Sequence, residues 1–346
     1  MKNSSYWKKR FELIEQLSHD EASTLLHEFE THYMKAQREI EGKINSWYQR
    51  FALNNEITMT EARKWLTMKE LAEFKWDVKE YIKYGELNEI NQVWMKQLEN
   101  ASARYHISRL ESLKLQLQQS IEVLFGNQLD QFDALMKNIY SEGYYHTIYE
   151  VQKGFNIGWN IDSIDQDKLK RIISKPWAAD GQNFSSRLWN NKSKLVNQIH
   201  TELTQMTILG KAPDQAIKNI AIKMNTSKSN AGRLVMTESA YFSSVSQKDA
   251  FNELDVERFE IVATLDSRTS EICQSLDGHV FDMNTFEAGV TAPPFHPWCR
   301  TTTVPYFDDE FNLGERAARD DETGKTYYVP SDIKYPDWKS KFVEGI

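Results

Sequence analysis

The chain has 346 residues, more than one ordinary domain of roughly 100–200 residues, so two or three domains are expected. Hydrophobic residues at 40%, charged residues at 27% and aromatics at 12% exclude a disordered chain and leave apolar mass for real cores. The net charge of −8 is concentrated in residues 231–310, with 5 basic and 14 acidic groups, so this segment cannot present the basic face that duplex binding needs.

Only 14 glycines and 8 prolines occur, which predicts long helices and few loops. Residues 1–125 read as an elongated long-helix bundle. Phe29, Tyr33, Ala36, Ile40, Ile44, Trp47 and Phe51 recur at helical steps. Thr58-Met-Thr-Glu61 and Thr67-Met-Lys-Glu70 fit capping boxes, and the second opens a helix with Leu71, Phe74, Val78 and Ile82 on one face, stopping near Gly85. A further helix is expected from about Leu87 towards Gly126, with Leu110, Leu113, Leu117, Ile121 and Leu124 as its late stripe. Such stripes are core first, with face left over for docking.

Residues 126–230 read as a helical middle region. Gly154 and Gly158 interrupt it, and Ile161 to Gln166 looks like a loop with helix-cap chemistry. Pro176 and Ala179-Asp-Gly181 mark a boundary before a helix from Leu188 to Leu209, ended by Gly210. Asp214 is expected to cap the next helix, with Ala216, Ile217, Ile220, Ala221 and Met224, and Ser227-Lys-Ser-Asn230 to punctuate it. Arg233 to Asn252 is again helical, with Leu234, Thr237, Ala240 and Tyr241 on one side.

Residues 231–310 then turn towards an α+β texture. Arg258 to Leu265 alternates like a strand, Asp266-Ser-Arg-Thr-Ser270 is a turn, and Ser275-Leu-Asp-Gly278 is a second turn into a strand at His279 to Phe281. Pro293-Pro294 leads to His296-Pro-Trp-Cys299-Arg300 and a strand from Thr301 to Tyr306. Residues 311–346 read as a hairpin around Glu322-Thr-Gly-Lys325 and a tail with Tyr335-Pro-Asp-Trp338. The fold class expected is mainly α with a C-terminal α+β domain.

No run approaches 18 apolar residues, so no membrane helix is expected, and the opening ten residues lead into no apolar stretch, so no secretory leader. Two cysteines cannot build a disulfide scaffold, and a cytoplasmic chain would keep them reduced. Both fall in the α+β region, as Cys273 and as His296-x-x-Cys299, the residue types that a tetrahedral zinc site uses. A fourth ligand would come from Asp277 or His279, with Asp266 a further candidate. Two ordinary buried thiols are the plainer reading. No Gly-x-Ser-x-Gly elbow, phosphate loop or dinucleotide fingerprint occurs, and the Ser267 to Glu271 run is too short to mark a transferase.

Ala263 to Phe281, with Asp266, Cys273, Asp277 and Gly278, followed by Pro293-Pro294-Phe-His296-Pro-Trp-Cys299-Arg300, closely resembles the phage Mu F-like minor head protein family. The preceding helix with Thr237-Glu238 fits the same module. Ser5-Tyr-Trp, Tyr48 to Ala52 and Phe184 to Trp189 resemble minor head proteins of phages infecting Gram-positive bacteria.

The resemblance implies a non-catalytic head morphogenesis protein, assembled in the host cytoplasm and carried in the virion at the capsid interior or portal vertex. Its implied partners are the portal protein and a scaffold or major capsid protein, with non-specific DNA as a further one through residues 126–230, at 13 basic and 10 acidic groups. Many relatives carry Cys-x-x-Cys and Cys-Arg-Cys where this chain has Ser270 and Thr301 at the outer positions, which excludes a four-cysteine site. A structural zinc held by Cys273, His296, Cys299 and an aspartate, with Asp277 favoured, then stands beside packing alone. Asp266, Gly278, Pro294 and Arg300 read as structural: Gly278 for a tight turn, Pro294 for stiffness, Arg300 to pair with Asp266 or Asp277. The competing reading from another class is a metal-dependent hydrolase or toxin-like transferase built on Cys273, His296, Cys299 and Asp277.

Overall fold

The computed structural model describes residues 4–51, 59–87, 92–156, 163–178, 180–210, 213–307, 315–319 and 326–330. Its elements are α1 (Ser4–Phe51), α2 (Met59–Arg63), α3 (Met68–Leu87), α4 (Gln92–Ala103), α5 (Arg109–Phe155), α6 (Gln166–Ser174), α7 (Phe184–Leu209) and α8 (Pro213–Glu253). Then come β1 (Arg258–Val262), α9 (Glu271–Leu276), β2 (Val280–Asp282), β3 (Thr302–Tyr306), β4 (Glu315–Arg319) and β5 (Thr326–Pro330). The expected class, mainly α with a C-terminal α+β part, is borne out. Gly158, Ala179, Thr58, the Glu322–Lys325 turn and the Tyr335–Trp338 segment lie outside the described residues.

The local signals act as chemistry requires. The backbone N–H of Thr67 donates to the Glu70 carboxylate at 2.7 Å, and Glu70 N–H returns a bond to Thr67 Oγ1 at 3.4 Å, the reciprocal capping box. Asp165 caps α6 by accepting from Asp167 N–H at 2.9 Å. Gly210, at φ +60°, ends α7 in the left-handed conformation that a side chain disfavours. Pro213 opens α8, so Asp214 sits in its first turn.

Three expectations are corrected. The helix expected from Leu87 to Gly126 is instead α4 and α5, parted where Leu66 N–H donates to Ile107 O at 2.8 Å and Arg109 N–H to Lys64 O at 3.0 Å. Ser108 restarts the helix by accepting from Glu111 N–H at 3.2 Å. Gly126 does not stop α5, because a helical glycine costs only about 1 kcal/mol and Leu124, Phe125 and Phe132 around it are buried. Ser227 to Asn230 does not break α8 either: Ser227 Oγ meets Tyr33 Oη at 2.9 Å, and Ser229 Oγ donates to Asn225 O at 3.0 Å. The buried face of α8 is centred on Val235, Met236, Ser239 and Phe242, one step from the predicted stripe, with Leu234, Thr237 and Ala240 half-buried.

The chain forms two compact units built from non-consecutive stretches. One comprises Leu26–Phe132 and Phe184–Gly232. Here Phe29, Tyr33, Ile40, Ile44 and Trp47 are buried, and Leu71, Phe74 and Val78 of α3 pack with Trp94 and Leu98 of α4. A buried ion pair, Lys192 Nζ to Glu122 at 3.0 Å, ties α7 to α5.

The other unit comprises Met1–Leu25, Asp133–Asn183 and Arg233–Ile346. Its three-stranded antiparallel sheet has the order β2-β1-β3, with Phe259 opposite Phe281 and Pro305. β4 and β5 pair separately, Ala317 opposite Tyr328. The core gathers Trp7, Phe11 and Ile14 of α1, Val151 of α5, Phe251 of α8, Phe259 and Ile261 of β1, Phe286, and Val304 of β3. The first turns of α1 therefore fold with the C-terminal strands. Lys8 Nζ lies 2.8 Å from Glu260 of β1, with 6% and 8% of these side chains exposed.

Gly154 of α5 sits against the indole of Trp7 so closely that a Cβ would overlap the ring. Gly→Ala in a helix ordinarily stabilises by up to about 1 kcal/mol. Here the rigid, buried ring has no room to yield, so Gly154→Ala is expected to destabilise by about 1–3 kcal/mol. Chemical denaturation of the two proteins checks the sign.

Candidate metal centre

Beyond β1 the backbone loses regular pairing and side chains take over. Asp266 is fully buried, and the Arg300 guanidinium grips both its oxygens, Nη2 to Oδ1 at 2.8 Å. Asp266 Oδ1 also accepts from Arg268 N–H at 3.0 Å and Thr269 Oγ1 at 3.1 Å. Thr264 Oγ1 donates to Arg300 O at 2.8 Å. Burial opposes ionisation of Asp266, but the Arg300 bonds outweigh it and hold the carboxyl below its usual range.

The segment read as two turns around Cys273 contains a short helix, α9. Ser270 caps it, its Oγ accepting from Cys273 N–H at 3.4 Å. Asp277 closes it and accepts from Ala263 N–H at 2.9 Å. Gly278, at φ +75°, donates its N–H to Ile261 O at 2.8 Å and starts the turn into β2. Of the two acids considered for Arg300, Asp266 takes it. On the other side, the cis Pro293–Pro294 pair leads into the His296-Pro-Trp298 turn, where Trp298 adopts φ +64°. That turn brings Cys299 inward beneath Phe295 and Ala263.

Cys273, His296 and Cys299 meet there. Cys273 Sγ lies 3.2 Å from His296 Nε2 and 3.7 Å from Cys299 Sγ, and the three donor atoms all fall within 4.8 Å of one another. Both thiols are buried and His296 is half-buried. His296 Nδ1 lies 2.7 Å from Pro297 O; a carbonyl only accepts, so Nδ1 carries a proton and Nε2 faces the sulfurs.

The cysteines divide the charge unequally. The hydrogen bond between them, with burial added, pushes Cys273 up. The same bond holds Cys299 down against burial, helped by His296 and the backbone amides of Thr301 and Phe295. The bond to Cys299 raises His296, with burial opposing. The two thiols therefore titrate as one coupled pair, with Cys299 the more acidic partner. Of the outer positions of the motif, Ser270 accepts from Cys273 N–H at 3.4 Å and Thr301 is buried next to Cys299.

Asp277 and His279 do not join. Asp277 is bonded to Ala263, and His279 is exposed with its ring centre 6.4 Å from that of Phe281. Asp266 is committed to Arg300. Among the described residues the group therefore offers three candidate ligands. A cavity of about 20 Å³ borders Cys299, lined by Ser239, Ser244, Gln247 and Thr301 together with the apolar Met236, Ala240 and Pro293. In it the Ser239 and Ser244 hydroxyls have no protein partner.

Removing charge from Asp266 tests the neighbouring clamp. Its folded-state pKa is depressed, so its stabilisation is present above the ordinary carboxylate range and lost as pH falls through the folded value. Asp266→Asn leaves the Arg300 guanidinium without its counter-charge and is expected to cost about 3–5 kcal/mol near neutral pH. Its melting temperature should also fall less between neutral and acid pH than that of the unsubstituted chain. Parallel melts across pH decide this.

No curated protein and no solved structure matches the chain. The resemblance drawn from the Asp266–Arg300 motif residues is nonetheless borne out by a family comparison: residues 197–304, from late α7 through α8 to β3, match the family model described as Phage Mu protein F like protein.

Proposed function

We propose that the chain is a phage head morphogenesis protein, a minor capsid component that enters the procapsid with the portal protein and a scaffold or major capsid protein and remains in the virion. The observation that carries this reading is the coincidence of the Mu F-like match, residues 197–304, with the whole clamped segment from Asp266 to Arg300. The enclosure of the cluster supports a structural role over a hydrolase or transferase. The thiols are 1% and 4% exposed, and the cavity beside Cys299, at about 20 Å³, has room for one water rather than a substrate. No helix among the described residues is long and apolar enough to cross a membrane.

The test is co-expression of the full chain with its neighbouring portal, scaffold and major capsid proteins. The full chain is needed because deleting residues 1–125 would strip Trp7, Phe11 and Ile14 from the core that holds the sheet. The chain is expected to sediment with procapsids and to be lost when the portal is left out. Portal-containing procapsids that leave it soluble would refute the reading. Any DNA binding should be weak, with a log–log salt slope of a few times about −0.9.

A further inference from the structure

We propose that Cys273, Cys299 and His296 bind one zinc ion through two thiolates and Nε2, with solvent as the fourth ligand, and that the ion fastens α9 to the loop from Pro293 to Thr301. The inference stands on geometry and is independent of the head-assembly reading.

Zinc bonds of about 2.3 Å to sulfur and about 2.0–2.1 Å to nitrogen, at tetrahedral angles, set two sulfurs about 3.8 Å apart and sulfur and nitrogen about 3.6 Å apart. The two sulfurs here are 3.7 Å apart and Cys273 Sγ is 3.2 Å from His296 Nε2, with all three donors within 4.8 Å of one another, so an ion draws the imidazole and Cys299 into place by a small local adjustment. The imidazole is already oriented as a zinc ligand must be. Its Nδ1–H is spent on Pro297 O, which fixes the tautomer and points Nε2 at the sulfurs.

No acid of the described residues completes the shell, since Asp266 and Asp277 are held by Arg300 and Ala263. The cavity bordering Cys299 is sized for one water, and among the described residues the Ser239 and Ser244 hydroxyls that line it have no protein partner. Cys299 lines that cavity while His296 is only half-buried, so the fourth oxygen comes from water on one of these two sides. Binding releases the thiol protons to solvent, so both sulfurs coordinate as thiolates.

The test uses the purified full chain, stripped of metal, reduced, and titrated with zinc and separately with cobalt. One ion should bind per chain. The cobalt form should show a thiolate charge-transfer band in the near ultraviolet and the intense visible bands of a tetrahedral site. Zinc should protect both cysteines from a thiol reagent and raise the melting temperature. His296→Gln and Cys299→Ser should each weaken binding by more than about 100-fold, beyond the effect of losing an outer-shell partner. Should either variant fail to fold, Thr301→Cys gives a second arm. Thr301 lines the same cavity as Cys299, so a thiol there should take the place of the water and tighten binding. No stoichiometric metal, a Cys273–Cys299 disulfide in the reduced preparation, cysteines equally reactive with and without zinc, or a Thr301→Cys chain that binds no tighter overturns the proposal.

Discussion

Lys8 and Glu260 face one another at 2.8 Å with less than a tenth of either side chain exposed. Such a pair is tolerated only where both charges are matched, and removing one partner would cost about 3–5 kcal/mol. It therefore fixes the first turns of α1 against β1, the central strand of the sheet. Trp7, Phe11 and Ile14 on the same turns cover Phe259 and Ile261, and Trp7 also reaches Phe155 and Phe307, with ring centres 5.7 and 5.4 Å away. The first turns of α1 thus share one core with β1 and β3. β1, with four of its five residues buried, is held between β2 and β3. The segments that leave β1 and enter β3 are brought side by side, and those segments carry Asp266, Cys273, Cys299 and Arg300.

α8 is locked to the same sheet by polar contacts. Gln247, 1% exposed, donates to Thr302 Oγ1 at 3.0 Å and accepts from Thr303 Oγ1 at 2.7 Å. A buried amide satisfied at both ends specifies register more sharply than an apolar contact, because any slip leaves a donor or acceptor bare. Gly143 on α5 meets the Ser246 hydroxyl of α8 too closely for a Cβ, so these helices approach at backbone distance. Trp177 Nε1 donates to the buried Glu238 at 2.9 Å, which gives the Thr237-Glu238 pair of the motif a structural partner.

What the sequence made legible was local. The α1 stripe, the Thr67 box, the strands and the Asp277-Gly278 turn each involve residues within a few positions, where sterics and capping leave little choice. The break between α4 and α5 was locally written as well, in Ser108-x-x-Glu111, but the eye goes to Gly126, whose cost is small beside the burial around it. The meeting of Cys273, His296 and Cys299 was legible because these residue types are scarce in the chain. That neither Asp277 nor Asp266 joins them was not, since both are acids of the right kind whose partners, Ala263 and Arg300, are known only once the fold is. Lys8 with Glu260 was beyond reach altogether: 252 positions separate them, and each reads as a solvated charge.

Two clamps act on the same pair of segments. Asp266 with Arg300 joins positions 34 apart, and Cys273 with Cys299 joins positions 26 apart. Closing a loop of this size costs free energy that grows only as the logarithm of its length, and most of that cost falls on the first contact to form. Once Arg300 holds Asp266, Cys299 is already beside Cys273, and the second clamp adds its own bonds at little further entropic cost. The reverse also follows. A segment tied by a buried, doubly bonded ion pair can tolerate Ser270 and Thr301 at the outer positions, because its closure does not depend on the cluster alone.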